Sequence, residues 1–311
     1  MDSFRQKYAT NLQKSCEIAK FFVTLWKILS MKISDITQCI EKIAPLNIQE
    51  SYDNCGLLIG CPDDEVHKIL LCMDVTNEIL QEAITEKCDL IISHHPMIFF
   101  GVKKIDSNSL IYRAIQNKIA IYAAHTNLDS AVFGVSTILG EKLGLQNLRI
   151  LRKSSVDERF GLGIVGEFAT PLSETDFLDL VKDVCQIPVV KHSKLYQKSI
   201  KTVALCGGGG SELIQDAVAQ NVDAYLSSDF KYHEYTLINT PISQADASRR
   251  AEFLIGGGLI NTPILLVDAG HFETEQFAVD ILYSEICKNF PTFAVQKTKT
   301  NNNAVFYSIK K

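Results

Sequence analysis

Asp89-Leu90-Ile91-Ile92-Ser93-His94-His95-Pro96 is the stretch from which the fold can be read. A short apolar run rich in β-branched residues stops at two imidazoles and a proline. That is how a buried strand reads when it delivers ligands at its carboxyl end. Adjacent extended residues point to opposite sides, so one metal would struggle to take both histidines, whereas two metals could take one each. Pro96 biases His95 toward extended backbone. Taken alone, the pair also fits ordinary polar residues closing a strand. The rest of the chain decides between the two.

Two further segments have the same form. Ile119-Ala120-Ile121-Tyr122-Ala123-Ala124 runs into His125-Thr126-Asn127-Leu128-Asp129, and Pro263-Ile264-Leu265-Leu266-Val267 runs into Asp268-Ala269-Gly270-His271-Phe272-Glu273-Thr274-Glu275. A helix over Phe272 to Ile286 that begins near Gly270 sets His271 and Glu275 at i and i+4 on one face. Glu273 then points elsewhere, as a solvated first-turn acid that complements the helix dipole. Three strand ends together offer His94, His95, Asp129, His271 and Glu275. Imidazoles and carboxylates without thiolates suit zinc, manganese or iron(II). Five donors exceed one tetrahedral site and fit a pair of ions sharing a bridging carboxylate.

At these residues the chain resembles the GTP cyclohydrolase 1 type 2 homologs, also called Nif-three-like proteins. The matching segments are Ser51-Tyr52-Asp53-Asn54-Cys55-Gly56-Leu57, Ser93-His94-His95-Pro96, His125-Thr126-Asn127-Leu128-Asp129, Ser228-Asp229-Phe230-Lys231-Tyr232-His233 and Asp268 to Glu275, in order from about Met31 to the C-terminus. The resemblance implies a two-lobed α/β fold with largely parallel or mixed sheets and a dinuclear metal site between the lobes. It implies His94 and His271 on one metal, His95 and Asp129 on the other, and Glu275 bridging. It also implies a homo-oligomer, a hexameric ring of dimers. The short stretch from Leu148 to Arg159 leaves no room for the large extra domain that some members carry between the lobes.

Composition narrows the function classes. The chain has 311 residues, 46% hydrophobic and 22% charged, as in a soluble globular protein. A net charge of −5 gives no support to a general nucleic-acid grip. Nine cysteines stand singly with no C-x-x-C pair, which reads as reduced thiols in the cytoplasm. Cys55 lies in a motif beside the expected site, but nothing nearby would lower its pKa. The apolar run Phe21 to Leu29 is too short for a membrane span and is broken by Lys27.

Organisation along the chain follows from periodicity. Ile33, Ile36, Ile40 and Ile43 mark an amphipathic helix, so residues 1–30 read as an N-terminal extension. The first lobe is expected over 31–155. Its strands are at Gly56–Gly60, Lys68–Met73, Leu90–Ser93 and Ile119–Ala124; its helices are at Asn77–Lys87, Ser109–Asn117 and Val135–Leu143. The second lobe is expected over 156–311. It has strands at Phe160–Phe168, Lys201–Cys206 and Asp223–Ser227, and helices at Ser173–Gln186 and Glu212–Gln220. Gly207, Gly208, Gly209 and Gly210 follow a strand and precede a helix, which resembles a phosphate cradle without the Walker pattern; a tight packing turn reads equally well.

Leu237-Ile238-Asn239-Thr240-Pro241-Ile242 recurs residue for residue as Leu259 to Ile264. Residues 237–258 therefore read as an insertion flanked by a direct repeat, either a tolerated surface segment or a lid.

The function that best joins these features is a dinuclear metal-dependent hydrolase. It would act on a nucleotide or related phosphorylated small molecule through a metal-bound hydroxide, with His125, Lys231 and His233 as proton carriers. The rival is a non-enzymatic metal-binding or metal-delivery scaffold. A third reading, a ring-shaped partner of nucleic acid, is weakened by the acidic charge.

Overall fold

The computed structural model describes residues 31–239, 264–301 and 303–309. The extension expected over 1–30, and the expected insertion from residue 240 onward, lie outside them. In chain order the strands are β1 (Met31–Lys32), β2 (Gly56–Ile59), β3 (Glu65–Val66), β4 (Lys68–Cys72), β5 (Leu90–Ser93), β6 (Ala120–Ala123), β7 (Gln146–Lys153), β8 (Gly161–Ser173), β9 (Lys191–His192), β10 (Ser199–Gly209), β11 (Ala224–Ser228), β12 (Leu265–Asp268) and β13 (Ala294–Lys297). The helices are α1 (Ile33–Ile43), α2 (Asn77–Thr85), α3 (Leu110–Gln116), α4 (Thr126–Asp129), α5 (Val135–Lys142), α6 (Glu174–Cys185), α7 (Ile214–Ala219), α8 (Tyr232–Asn239), α9 (His271–Glu275) and α10 (Phe277–Asn289).

Two mixed sheets carry the fold. One has the order β13-β4-β5-β6-β2, parallel from β13 to β6 with β2 antiparallel at the edge. The other has the order β7-β8-β10-β11-β12-β9, with β10, β11 and β12 parallel and the outer strands antiparallel. The central strands β5, β6, β11 and β12 are buried along their whole length. Helices cover both faces, which is why their sequences read as continuous apolar runs rather than alternating ones. Thr76, Ser109 and Ser173 cap α2, α3 and α6, each side-chain oxygen accepting a backbone N–H of the first turn.

The sheets do not divide the chain at one point. β7 lies in the second sheet although it precedes residue 155, and β13 returns to the first sheet beside β4. Between them α10 buries Ala278, Leu282 and Ile286 in the same core as Ile36 and Ile40 of α1. The chain therefore crosses back, and α9, just before α10, is held against β10 with Glu275 facing His94 and His95 beyond the end of β5.

Three elements differ from expectation. β7 runs into the stretch expected to lie between the lobes, where no strand was expected; its signal is the period-2 pair Leu148 and Ile150 beside Asn147 and Arg149. The helix expected over Phe272–Ile286 is two helices, α9 and α10. The glycine run is the end of strand β10, and only a 3₁₀ turn, Ser211–Leu213, precedes α7.

Candidate metal centre

Four strand ends meet at one point. His94 and His95 follow β5, and their backbone N–H groups bond to the carbonyls of Cys72 and Met73 at 3.1 and 2.9 Å, so the ladder with β4 runs on through the site. His125 and α4, which ends in Asp129, follow β6. Asp229 follows β11, and α9 follows β12, carrying His271 and Glu275 one turn apart. Parallel strands collect polar groups at their carboxyl ends.

The five expected donors come together around Glu275. Its Oε2 lies 3.0 Å from Nε2 of both His95 and His271 and 3.7 Å from Nε2 of His94. His94 Nε2 is 3.6 Å from Asp129 Oδ1. Two groups result, His94–Asp129–Glu275 and His95–His271–Glu275, each with ligand atoms within 4.8 Å of one another. Glu275 is common to both, as expected. The other pairing differs from the one the resemblance implies: the ligand atoms group His94 with Asp129, and His95 with His271. The reason is the alternation of adjacent extended residues, which turns His94 into the core toward Asp129 and His95 outward toward α9.

Each imidazole is fixed from behind. Nδ1 of His94 bonds to the Ala124 carbonyl at 2.7 Å, that of His95 to Asp74 at 2.8 Å, that of His271 to Asp229 at 2.7 Å and that of His125 to Asp53 at 2.9 Å. This is the outer arrangement that orients metal-binding histidines and raises their basicity. Asp74 and Asp53 were not picked out from sequence. Asp74 had the same signal as the ligands, a carboxylate just past the end of a buried strand.

The electrostatics fit a cation. Burial pushes the Asp129 carboxyl up to about 7. Burial opposes ionisation of Glu275 as well, but its hydrogen bonds to His271 and His95 hold it well below the usual carboxylate range. Burial disfavours the His95 imidazolium, yet Asp74 and Glu275 on either side outweigh it and raise its pKa to about 10; Asp229 and Glu275 do the same for His271. His94 Nε2 and Asp129 Oδ1 are buried without a hydrogen-bond partner. Two orphaned buried acceptors facing each other are costly, and a cation between them satisfies both.

The remaining expected site residues fall differently. His125 reaches the cluster. Lys231 and His233 are exposed, and among the described residues no contact joins either side chain to it; the loop ahead of α8 contributes Asp229 instead. The backbone N–H groups of Gly207 and Gly208 are already taken by Ser136 and Thr274, at 3.2 and 2.9 Å. The glycines act by being small: a Cβ on Gly207 would lie 2.7 Å from Val135, and one on Gly210 2.3 Å from Ser227 Oγ. The phosphate-cradle reading of Gly207 to Gly210 is thereby replaced by a close-packed strand end. Glu273 is buried rather than solvated, and accepts a hydrogen bond from Asn303 at 3.0 Å. Burial pushes the Cys55 thiol up to about 12, so it is not a reactive thiolate.

The Duf34/NIF3 (NGG1p interacting factor 3) family model matches residues 31–245. The chain belongs to this family. A GTP cyclohydrolase 1 type 2 homolog of Clostridium perfringens is 34% identical over 207 residues, which cover 65% of this chain and 79% of that one. Its counterpart in Clostridium acetobutylicum is 29% identical over 266 residues, covering 83% and 90%. Among solved structures, a hypothetical protein of Staphylococcus aureus superposes with a TM-score of 0.75 at 27% identity, covering 89% of this chain and 99% of that one. The family expectation drawn from the five motifs is borne out, and so is the mixed α/β fold. Among the described residues no helix is long and apolar enough to cross a membrane.

Proposed function

We propose that this NIF3-family chain is a dinuclear metal-dependent hydrolase acting on a nucleotide or related phosphorylated small molecule. His94, Asp129 and Glu275 hold one divalent ion, and His95, His271 and Glu275 hold the other; zinc, iron and manganese all suit this donor set. The supporting observation is that the cluster is closed on one side and open on the other. The side chains of His94 and Glu275 are 0% and 4% exposed, whereas those of His95 and His271 are 23% and 39% exposed. Structural metal sites are closed by protein, and catalytic ones keep an accessible face.

Bound cations would supply Lewis acidity toward a carbonyl, ring carbon or phosphoryl group and acidify water for its attack. The chain's own residues supply orientation. Asp74 and Asp229 hold His95 and His271 with Nε2 inward, and the Ala124 carbonyl does so for His94. Of the three side chains expected to carry protons, His125 alone stands at the cluster. The names of the Clostridium relatives make a purine nucleotide the first substrate class to test. A hexameric ring of dimers working in the cytoplasm completes the proposal; the free thiols of the described cysteines agree with that compartment.

Elemental analysis of purified protein tests the metals, light scattering tests the ring, and a hydrolysis screen on metal-loaded protein tests the chemistry. The screen spans nucleoside triphosphates and phosphate monoesters. Two ions per chain with turnover in one arm is the expected result. Two ions with no turnover in any arm, and transfer of metal to an acceptor, would favour the delivery scaffold.

A further inference from the structure

His125 stands beside the cluster but belongs to neither donor set described above. Its ring centroid is 5.3 Å from that of His94 and 5.4 Å from that of His95, both nearly edge-on. One ring nitrogen from each of the three lies within 4.8 Å of the others. Asp53 fixes the ring through Nδ1 at 2.9 Å. Asp53 is itself locked: it accepts from Thr126 N and Thr126 Oγ1 at 3.0 and 2.5 Å, from Asn54 N at 2.7 Å and from the Cys55 thiol at 3.0 Å.

The tautomer follows from these partners. Both oxygens of Asp53 already accept from backbone N–H groups, those of Asn54 and Thr126, which can only donate, so Asp53 faces His125 as an acceptor. Nδ1 of His125 therefore carries the proton, and in the neutral ring the lone pair sits on Nε2. The same logic applies to His94, whose Nδ1 faces a carbonyl and whose Nε2 has no hydrogen-bond partner. Two lone-pair nitrogens that converge in this way cannot bond to each other. They need a cation. All four imidazoles of the cluster are set in one manner, with Nδ1 tied to an oxygen acceptor, and His125 shares it in full.

We infer that His125 is a sixth protein donor to the metal centre, binding through Nε2 beside His94 and His95, rather than a proton carrier. The inference rests on the reading of the cluster as a metal centre. It also explains why an aspartate with five hydrogen-bonded contacts lies behind a residue outside both donor sets.

The test uses the full chain loaded with cobalt(II), compared across wild type, His125→Ala, His125→Gln and Asp53→Asn. Circular dichroism confirms folding, and chelator competition and the cobalt visible spectrum give the readouts. The expected result is an affinity loss of at least ~10-fold at one ion in both His125 variants, with a shifted spectrum, and a smaller loss in Asp53→Asn. X-ray absorption on wild type should count the imidazoles of His94, His95, His125 and His271 across the two ions. Unchanged affinity and spectrum in folded His125 variants, or an imidazole count that omits one ring, would overturn the assignment while leaving the metal centre standing. Wild-type protein that takes up no cobalt would overturn both.

Discussion

A Cβ placed on Gly208 would lie 1.7 Å from Oε1 of Glu275, the carboxylate that faces His94, His95 and His271. Gly208 also has φ +66°, in the left-handed region. The glycine is thus the floor on which the shared carboxylate rests. Gly208→Ala should cost roughly 1–2 kcal/mol from the backbone alone. It should also displace Glu275, so metal content should fall at both ions together. Gly209→Ala is the control: the nearest atom to its Cβ is 3.4 Å away, so stability and metal content should stay near wild type. Elemental analysis and thermal melts of the two variants give the comparison. Equal behaviour would refute the packing account.

The carboxylates behind the imidazoles give the second prediction. Asp229→Asn should weaken metal binding ~10–100-fold, because an amide orients His271 less firmly and leaves it less basic. Asn tolerates the left-handed backbone at this position, φ +59°, so the fold should survive. Asp74→Asn should act likewise through His95. Chelator competition on each variant measures this. Retention of wild-type affinity in both would mean that the outer hydrogen bonds do not tune the site.

Much of this was legible in the sequence because parallel strands announce themselves. Leu90–Ser93, Ala120–Ala123 and Leu265–Asp268 are buried throughout and apolar until their last residue or beyond, and each ends where its ligands begin. The i, i+4 spacing of His271 and Glu275 followed from a helix start at a glycine. What failed needed tertiary knowledge. Strand, glycines and helix start look alike whether the glycines receive a phosphate or a buried carboxylate. Only the return of α9 under β10 tells which. Glu273 read as solvated because nothing local says that Asn303 will cover it. The pairing of ligands depends on which way α9 approaches, and that is set by α10 packing against α1.

The C-terminal strand supplies a pH prediction away from the site. Glu82 of α2 accepts hydrogen bonds from Thr298 Oγ1 at 2.5 Å, Lys299 N at 2.9 Å and Thr300 Oγ1 at 2.7 Å, just beyond β13. Burial opposes its charge, but these donors outweigh it and lower its pKa below the ordinary glutamate value. The unfolded carboxyl binds its proton more readily than the folded one. The stabilisation is therefore complete above the unfolded value, roughly pH 4.3, and is lost as pH falls from there through the folded value. Glu82→Gln should be less stable than wild type at pH 7, with the gap closing in strong acid. Urea midpoints at both pH values decide it; a gap independent of pH would rule out the clamp.

The direct repeat gives the last prediction. Leu237-Ile238-Asn239 closes α8, with Ile238 buried in the core beside Leu266, while Ile264, the last residue of the second copy, is buried just ahead of β12. The two copies thus serve different ends: the first three residues finish a helix and the last leads into a strand. Excising residues 237–258 leaves a single copy running from Thr236 to Leu265, and that copy contains both pieces. Its Leu-Ile-Asn can end the helix, its Thr-Pro can turn, and its Ile can enter the strand. A two-residue link between helix and strand lies within the usual range for such connections, ~2–6 residues. Because β11 and β12 are parallel neighbours with α8 between them, the short link rebuilds an ordinary strand–helix–strand unit. The deleted chain should therefore fold, bind metal as the full chain does, and melt at or above its temperature, since a shorter connection closes at lower entropic cost. Melting curves and elemental analysis of the two forms make the comparison. Insoluble or metal-free deleted protein would show that the intervening residues are needed by the fold rather than carried by it.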